Sequence, residues 1–283
     1  MTLDDILTAG TEPQAVGSGY GFTEGPAADG QGNVYFSDHR NNTIYFYESG
    51  HAPAPFVIDS TDCNGMIVSA HGELYVCEGA AHRVVAFDLK TKAKRILCGE
   101  IDGQHFNEPN DIAADSTGGC YFSDPNYQHH GQPTVMKQDV YYCSPEGEVA
   151  RVSTICFKPN GVLLSEDEHT LYVADARGQR IFRYRVAAPG QLAVEQLWID
   201  RLGANPDGLT LDEHQNLYIC CGTRGLKVYD QRGQPLGVVS MHAANACFGG
   251  SDFGTLFIAS GDRFLALQTK VRGIRPLPAR NVQ

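Results

Sequence analysis

The chain has 283 residues, 42% of them hydrophobic and 19% charged, so it can bury a large core and does not read as disordered. Its formal net charge of -11 argues against nucleic acid or anionic membrane as a partner, since both need a basic face. Met1 to Gly10 carries Asp4 and Asp5 without a basic-then-apolar leader pattern, and no later stretch approaches the ~18 apolar residues of a membrane span. The expectation is a cytoplasmic protein.

Nine cysteines are an odd number, and Cys77, Cys120, Cys143, Cys220 and Cys221 fall inside apparent strands. They read as buried small hydrophobes in a reducing compartment. No Cys-x-x-Cys pair with distant partners signals zinc.

In chain order the elements form six copies of one pattern. These are GPAADGQGNVYFSD (Gly25 to Asp38), NGMIVSAHGELYVCE (Asn64 to Glu78), NDIAADSTGGCYFSD (Asn110 to Asp124), NGVLLSEDEHTLYVAD (Asn160 to Asp175), DGLTLDEHQNLYICC (Asp207 to Cys221) and ACFGGSDFGTLFIAS (Ala246 to Ser260). Each holds a short strand, a polar turn and a second strand with an aromatic near its centre. A third alternating strand follows: TIYFYE, RVVAFD, DVYYCS, RIFRYRV, GLKVYD and RFLALQ. Period-2 alternation with regularly spaced turns marks antiparallel β structure.

Counting back from the recurrent Tyr or Phe gives the lead residues Glu24, Asn64, Asn110, Asn160, Asp207 and Ala246, spaced 40, 46, 50, 47 and 39 residues apart. Repeats of roughly 40 to 50 residues with four strands each are propeller blades. The fold class is therefore an all-β, six-bladed β-propeller occupying residues 1–283 as one domain. The last repeat supplies three strands, so Glu12 to Gly17 is expected to complete it as the outer strand and lock the ring. Asn126 to Gln138, with His129, His130, Gly131 and Pro133, reads as a loop on one face.

The first strand of each blade is innermost, so the six lead residues face the central channel. Two carboxylates and three carboxamides converge there, and buried like charges are costly unless a cation sits between them. An all-oxygen donor set suits Ca²⁺ first, then Mg²⁺ or Mn²⁺, with Zn²⁺ last. Asp207 is the best-placed general base, ionised at neutral pH at its ordinary pKa of ~3.9. Ten scattered histidines, the lone Trp198 and the absence of a Gly-x-Ser-x-Gly elbow offer no competing centre. Phe22, Tyr127 and Phe248 are candidates to wall a pocket.

GFTEGP (Gly21 to Pro26), EPND (Glu108 to Asp111), YFSDPNY (Tyr121 to Tyr127), KPNGVLLSEDEHTLYVAD (Lys158 to Asp175), NPDGL (Asn205 to Leu209) and ACFGG (Ala246 to Gly250) occur in that order. Together they resemble the family of senescence marker protein, gluconolactonase and luciferin-regenerating enzyme. The resemblance implies one divalent cation, usually calcium, held by Glu24, Asn160 and Asp207, with Asn110 as ligand or substrate contact. It implies Asn64 and Asn110 on the substrate side and Asp207 as base or nucleophile, and His105 and Tyr127 are further candidates to contact substrate. The chain departs from the family pattern at GQHFNEPND, where Gln104 and His105 replace a common Lys-Arg, and at CEGAAHRV, which lacks a His after Cys-Glu. The implied activity is metal-dependent opening of a small, sugar-derived lactone. Hydrolysis of another ester or an organophosphate, and a non-catalytic binding propeller, are the alternatives. The partner is a small molecule; the oligomeric state is not encoded legibly.

Overall fold

The computed structural model describes residues 1–8, 10–127 and 137–276. His129, His130, Gly131 and Pro133 lie outside these described residues. Six four-stranded antiparallel sheets form the blades of a β-propeller. Blade one illustrates all of them, with strands Thr23–Ala28, Val34–Asp38, Thr43–Tyr47 and Ala54–Ile58 running from axis to rim. Among the described residues, no helix is long and apolar enough to cross a membrane.

Radial position decides which residues each strand can carry. Second strands are covered on both faces, so Val34–Asp38, Cys120–Asp124 and Thr255–Ser260 are buried throughout. They use aromatic and aliphatic residues on both sides of the pleat. Fourth strands are mostly exposed, as in Gln191–Ile199. Between first and second strands, Asp29, Asp115 and Asp212 each accept two backbone N–H groups from their own turn. This Asx geometry is why a polar turn recurs at that point.

Blade six holds strands Asn245–Gly249, Thr255–Ser260 and Arg263–Gln268 from the C-terminal half, and its outer strand is Gln14–Ser18. The latter pairs antiparallel with Arg263–Gln268, Gln14 opposite Ala266 and Ser18 opposite Arg263. Ile6, from the short helix Leu3–Ile6, is wholly buried in the same core.

At the axis, the first strands approach so closely that most blades place glycine directly after the lead residue. A Cβ on Gly25 would lie 2.1 Å from the Asn64 carbonyl oxygen, and one on Gly208 would lie 2.1 Å from Asn245 Oδ1 and 2.7 Å from its Cα. Gly65 and Gly161 meet the next blade's backbone in the same way.

Blade six corrects one register. Seven residues separate Thr210 from its partner Tyr218 in blade five, but nine separate Cys247 from Phe257 in blade six. The longer turn moves the lead position from Ala246 to Ala244, whose carbonyl accepts the Gly208 N–H at 2.9 Å just as the Asn110 carbonyl accepts that of Gly65 at 2.7 Å. Ala246 is one pleat further down the channel.

Two outcomes follow. Deleting residues 1–18 removes a ladder strand and the Ile6 anchor, and should lower the melting temperature by roughly 5–10 °C; an unchanged value would show that the ring closes without this strand. Gly208→Ala should destabilise by about 1–3 kcal/mol through overpacking at the axis. Gly30→Ala is its control, because a Cβ there meets nothing within 4 Å. Equal denaturation midpoints for the two variants would contradict the axial packing.

Candidate functional site

First strands begin, and second strands end, on one face of the propeller. That face opens into a cavity of about 1120 Å³, walled by loops of blades one to five. Glu24, Asn64, Asn110, Asn160 and Asp207 all line it. So does Tyr127, and so does Phe22 from the loop before the first strand. Phe248 lies at the opposite end of the channel.

His105 is elsewhere. It belongs to the hairpin of Glu100–Ile101 and Gln104–His105, its Nδ1 is 2.6 Å from the Phe106 carbonyl, and its ring packs on His82. It is not among the cavity-lining residues. Trp198 packs with Tyr172 and Arg183 in the blade four and five core.

Hydrogen bonds orient the floor. Asn160 Nδ2 donates to Tyr127 Oη at 2.9 Å, and its side chain favours the charged form of Asp207. Asn160 Oδ1 remains an acceptor that a cation could use. Glu24 Oε2 accepts the Gly25 N–H at 3.0 Å.

Two residues that sequence reading passed over complete the floor. Where four blades place glycine after the lead residue, blade three has Asp111 and blade six has Asn245. These blades are opposite one another in a six-membered ring. Asn245 Oδ1 accepts the Ala246 N–H at 2.8 Å, and its side chain favours the charged forms of both Glu24 and Asp111. Asp111 Oδ2 accepts the Val162 N–H at 3.2 Å. The signal was present in the sequence as two non-glycine residues at a glycine position.

The floor is therefore crowded with carboxyls. Burial pushes Asp207 up to about 7, the Asp111 charge adds to the rise and the Asn160 amide opposes it. Burial likewise brings Asp111 to about 7, against bonds from Ile112, Val162 and Asn245. Glu24 stands well above the ordinary carboxylate range through burial first and the Asp207 charge second. Asp207 is only half-buried by exposed area because it faces the cavity, yet it is enclosed by protein on every other side.

Such a floor fits a hard cation. Toward the cavity it offers the carboxylates of Glu24 and Asp207 and carboxamide oxygens, and with Asp111 beneath them it holds an excess of negative charge that a divalent cation would neutralise. Among the described residues, no group of three or more His, Cys, Asp and Glu side chains is arranged to hold a metal ion. Any cation here relies on amide donors beside the carboxylates.

Buried carboxylates at the ends of second strands pin the walls. Asp38 accepts the Gly21 and Phe22 N–H groups at 3.0 and 3.1 Å. Asp124 accepts those of Asn107 and Glu108, both at 2.8 Å. Asp175 accepts those of Phe157 and Lys158 at 3.1 and 3.0 Å. Each bond fixes a loop that carries a cavity-lining side chain.

Comparison with known proteins agrees with this architecture. A gluconolactonase from Zymomonas mobilis is 28% identical over 96% of this chain and 85% of its own length. The structure of a gluconolactonase from Xanthomonas campestris superposes with a TM-score of 0.85 at 25% identity, covering 94% of this chain and 92% of the other. The calcium-binding protein regucalcin from Agrobacterium tumefaciens shares the fold, with a TM-score of 0.81 at 15% identity over 95% of this chain and 98% of its own. The profile of the SMP-30/Gluconolactonase/LRE-like region matches residues 22–262. The chain thus belongs to the SMP-30, gluconolactonase and LRE-like family.

Proposed function

We propose that the chain is a calcium-dependent lactonase that opens a small, sugar-derived lactone. The observation that carries this reading is the meeting of Glu24, Asn160 and Asp207 at the floor of the cavity, flanked by Asn64 and Asn110. The likeness to gluconolactonases supports the same chemistry.

Glu24, Asn160 and Asp207 would hold the cation, with Asn110 beside them. When bound, a hard cation polarises an ester carbonyl and steadies the negative charge that develops on its oxygen. Asp207 has the second task of taking a proton from the attacking water at its carboxylate oxygen. Tyr127 holds the Asn160 amide in place through its hydroxyl. Asn64 and Asn110 can each donate or accept at the hydroxyls of a sugar ring. Phe22 gives that ring an apolar wall.

Ligand and base roles of Asp207 are separable. Asp207→Asn keeps an oxygen donor of nearly the same shape but cannot accept a proton. Activity should stay ~10²- to 10⁴-fold down even at saturating calcium, the usual range for a lost general base. Glu24→Gln removes the same charge, and excess calcium should restore much of its activity. Equal rescue of both variants would leave Asp207 as a ligand alone.

The raised carboxyl pKa values also predict a pH dependence. Asp111 and Asp207 titrate at about 7 when folded, above the ~3.9 of an unfolded chain. Their contribution to metal-free stability is complete below ~4 and is lost as pH rises through about 7. Calcium needs the ionised forms, so its stabilisation grows over the same window. In thermal melts, the metal-free protein should lose stability from pH 5 to pH 8, and calcium should raise the melting temperature more at pH 8. A larger calcium shift at pH 5 would contradict this assignment.

A further inference from the structure

The upper cavity is electrically lopsided. Its carboxylates above the floor already have partners: Asp62 Oδ1 lies 3.2 Å from His39 Nδ1, and Glu108 accepts the Tyr127 N–H. Lys158, Arg177 and Arg224 line the cavity from loops of the adjacent blades four and five, with the Glu108 charge near Lys158. Among the described residues, none of these three forms an ion pair. Nearby basic residues outside the cavity do: Arg83 pairs with Glu78, Arg151 with Asp139 and Arg180 with Asp175.

Lys158 and Arg177 are close enough for their charges to oppose each other, with Lys158 Nζ held 3.9 Å from the centre of the Tyr127 ring. A fourth cation, Arg40, lines the cavity from blade one, seated over Phe22. The chain has 22 Lys and Arg against 33 Asp and Glu. Four of those scarce cations around one cavity therefore mark it as a place for anions. A neutral sugar lactone offers the wall cations only hydroxyl acceptors and no opposite charge, and the carboxylate released by ring opening forms at the floor.

We propose that the substrate is a lactone carrying a second, fixed negative charge, a phosphate or a carboxylate, which Lys158, Arg177 and Arg224 receive. This rests on the lactonase reading of the same site. The reaction is unchanged: water adds to the lactone carbonyl, the ring C–O bond breaks, and the released oxygen takes a proton to give a hydroxy acid. The wall cations act on affinity and encounter, and salt weakens them.

The test compares glucono-δ-lactone with its 6-phosphate and with glucaro-δ-lactone, whose far end is a carboxylate. It is done on the calcium-loaded protein at low ionic strength, with binding of gluconate and 6-phosphogluconate measured by calorimetry. We expect kcat/KM for the better anionic lactone to exceed that of the neutral one by about tenfold or more, from a few charges acting through water. Which anion ranks first separates phosphate from carboxylate. The ratio of anionic to neutral kcat/KM should fall about fivefold or more in Arg177→Gln/Arg224→Gln and shrink in 0.5 M salt. Turnover of the neutral lactone by the same preparation reports that the variant is folded. Equal kcat/KM values, or a ratio unmoved by the variant, would overturn the proposal. If no lactone is opened but 6-phosphogluconate binds more tightly than gluconate, anion recognition stands and the lactonase reading fails. If the two acids bind equally, anion recognition fails.

Discussion

Six strands that start at one axis cannot all carry side chains at the same level. This steric constraint shapes the centre of the molecule. Gly25, Gly65, Gly161 and Gly208 let neighbouring backbones close to within distances that a Cβ would forbid. The space they release is taken by Asp111 and Asn245, from opposite blades. The lead residues one step above are thereby turned toward a shared floor rather than into separate pockets.

Electrostatics follows from that geometry. Glu24, Asp111 and Asp207 are held near one another, so burial raises all three, and the neighbouring carboxylate charge adds to the rise at Glu24 and Asp207. The Asn245 side chain relieves part of this at both Glu24 and Asp111. The Asn160 side chain does the same for Asp207, with its amide held by Tyr127. A divalent cation would remove most of the remaining cost, and its oxygen-rich surroundings would favour a hard ion. The feature that strains the metal-free floor is thus the one that suits it to a hard cation.

The walls obey a different rule. Asp38, Asp124 and Asp175 sit at the ends of buried strands and accept N–H groups from the loops above. Those loops present Phe22, Glu108 and Lys158 to the cavity. Loop chemistry can then vary while the loop backbone stays anchored, which is how a rigid scaffold supports changes in specificity. In blades four and five these anchored loops carry the cations Lys158, Arg177 and Arg224.

Much of this was readable from residues alone. The period of the repeats, set by strand length and turn chemistry, determined a six-bladed propeller. Counting back from one aromatic per blade reached Glu24, Asn64, Asn110, Asn160 and Asp207, which the structure brings to a single cavity. The count failed in blade six because its turn is longer, a change invisible without strand pairing, so Ala246 was read where Ala244 stands. His105 was assigned from a neighbouring motif, but its hairpin carries it out of the cavity. Local pattern encodes which residues share a strand and a face. Only the closed ring decided that Asp111 and Asn245 meet across the axis, and that Lys158, Arg177 and Arg224 share one wall. Those contacts join residues from different blades, and their distances depend on how the blades pack, which no single repeat specifies.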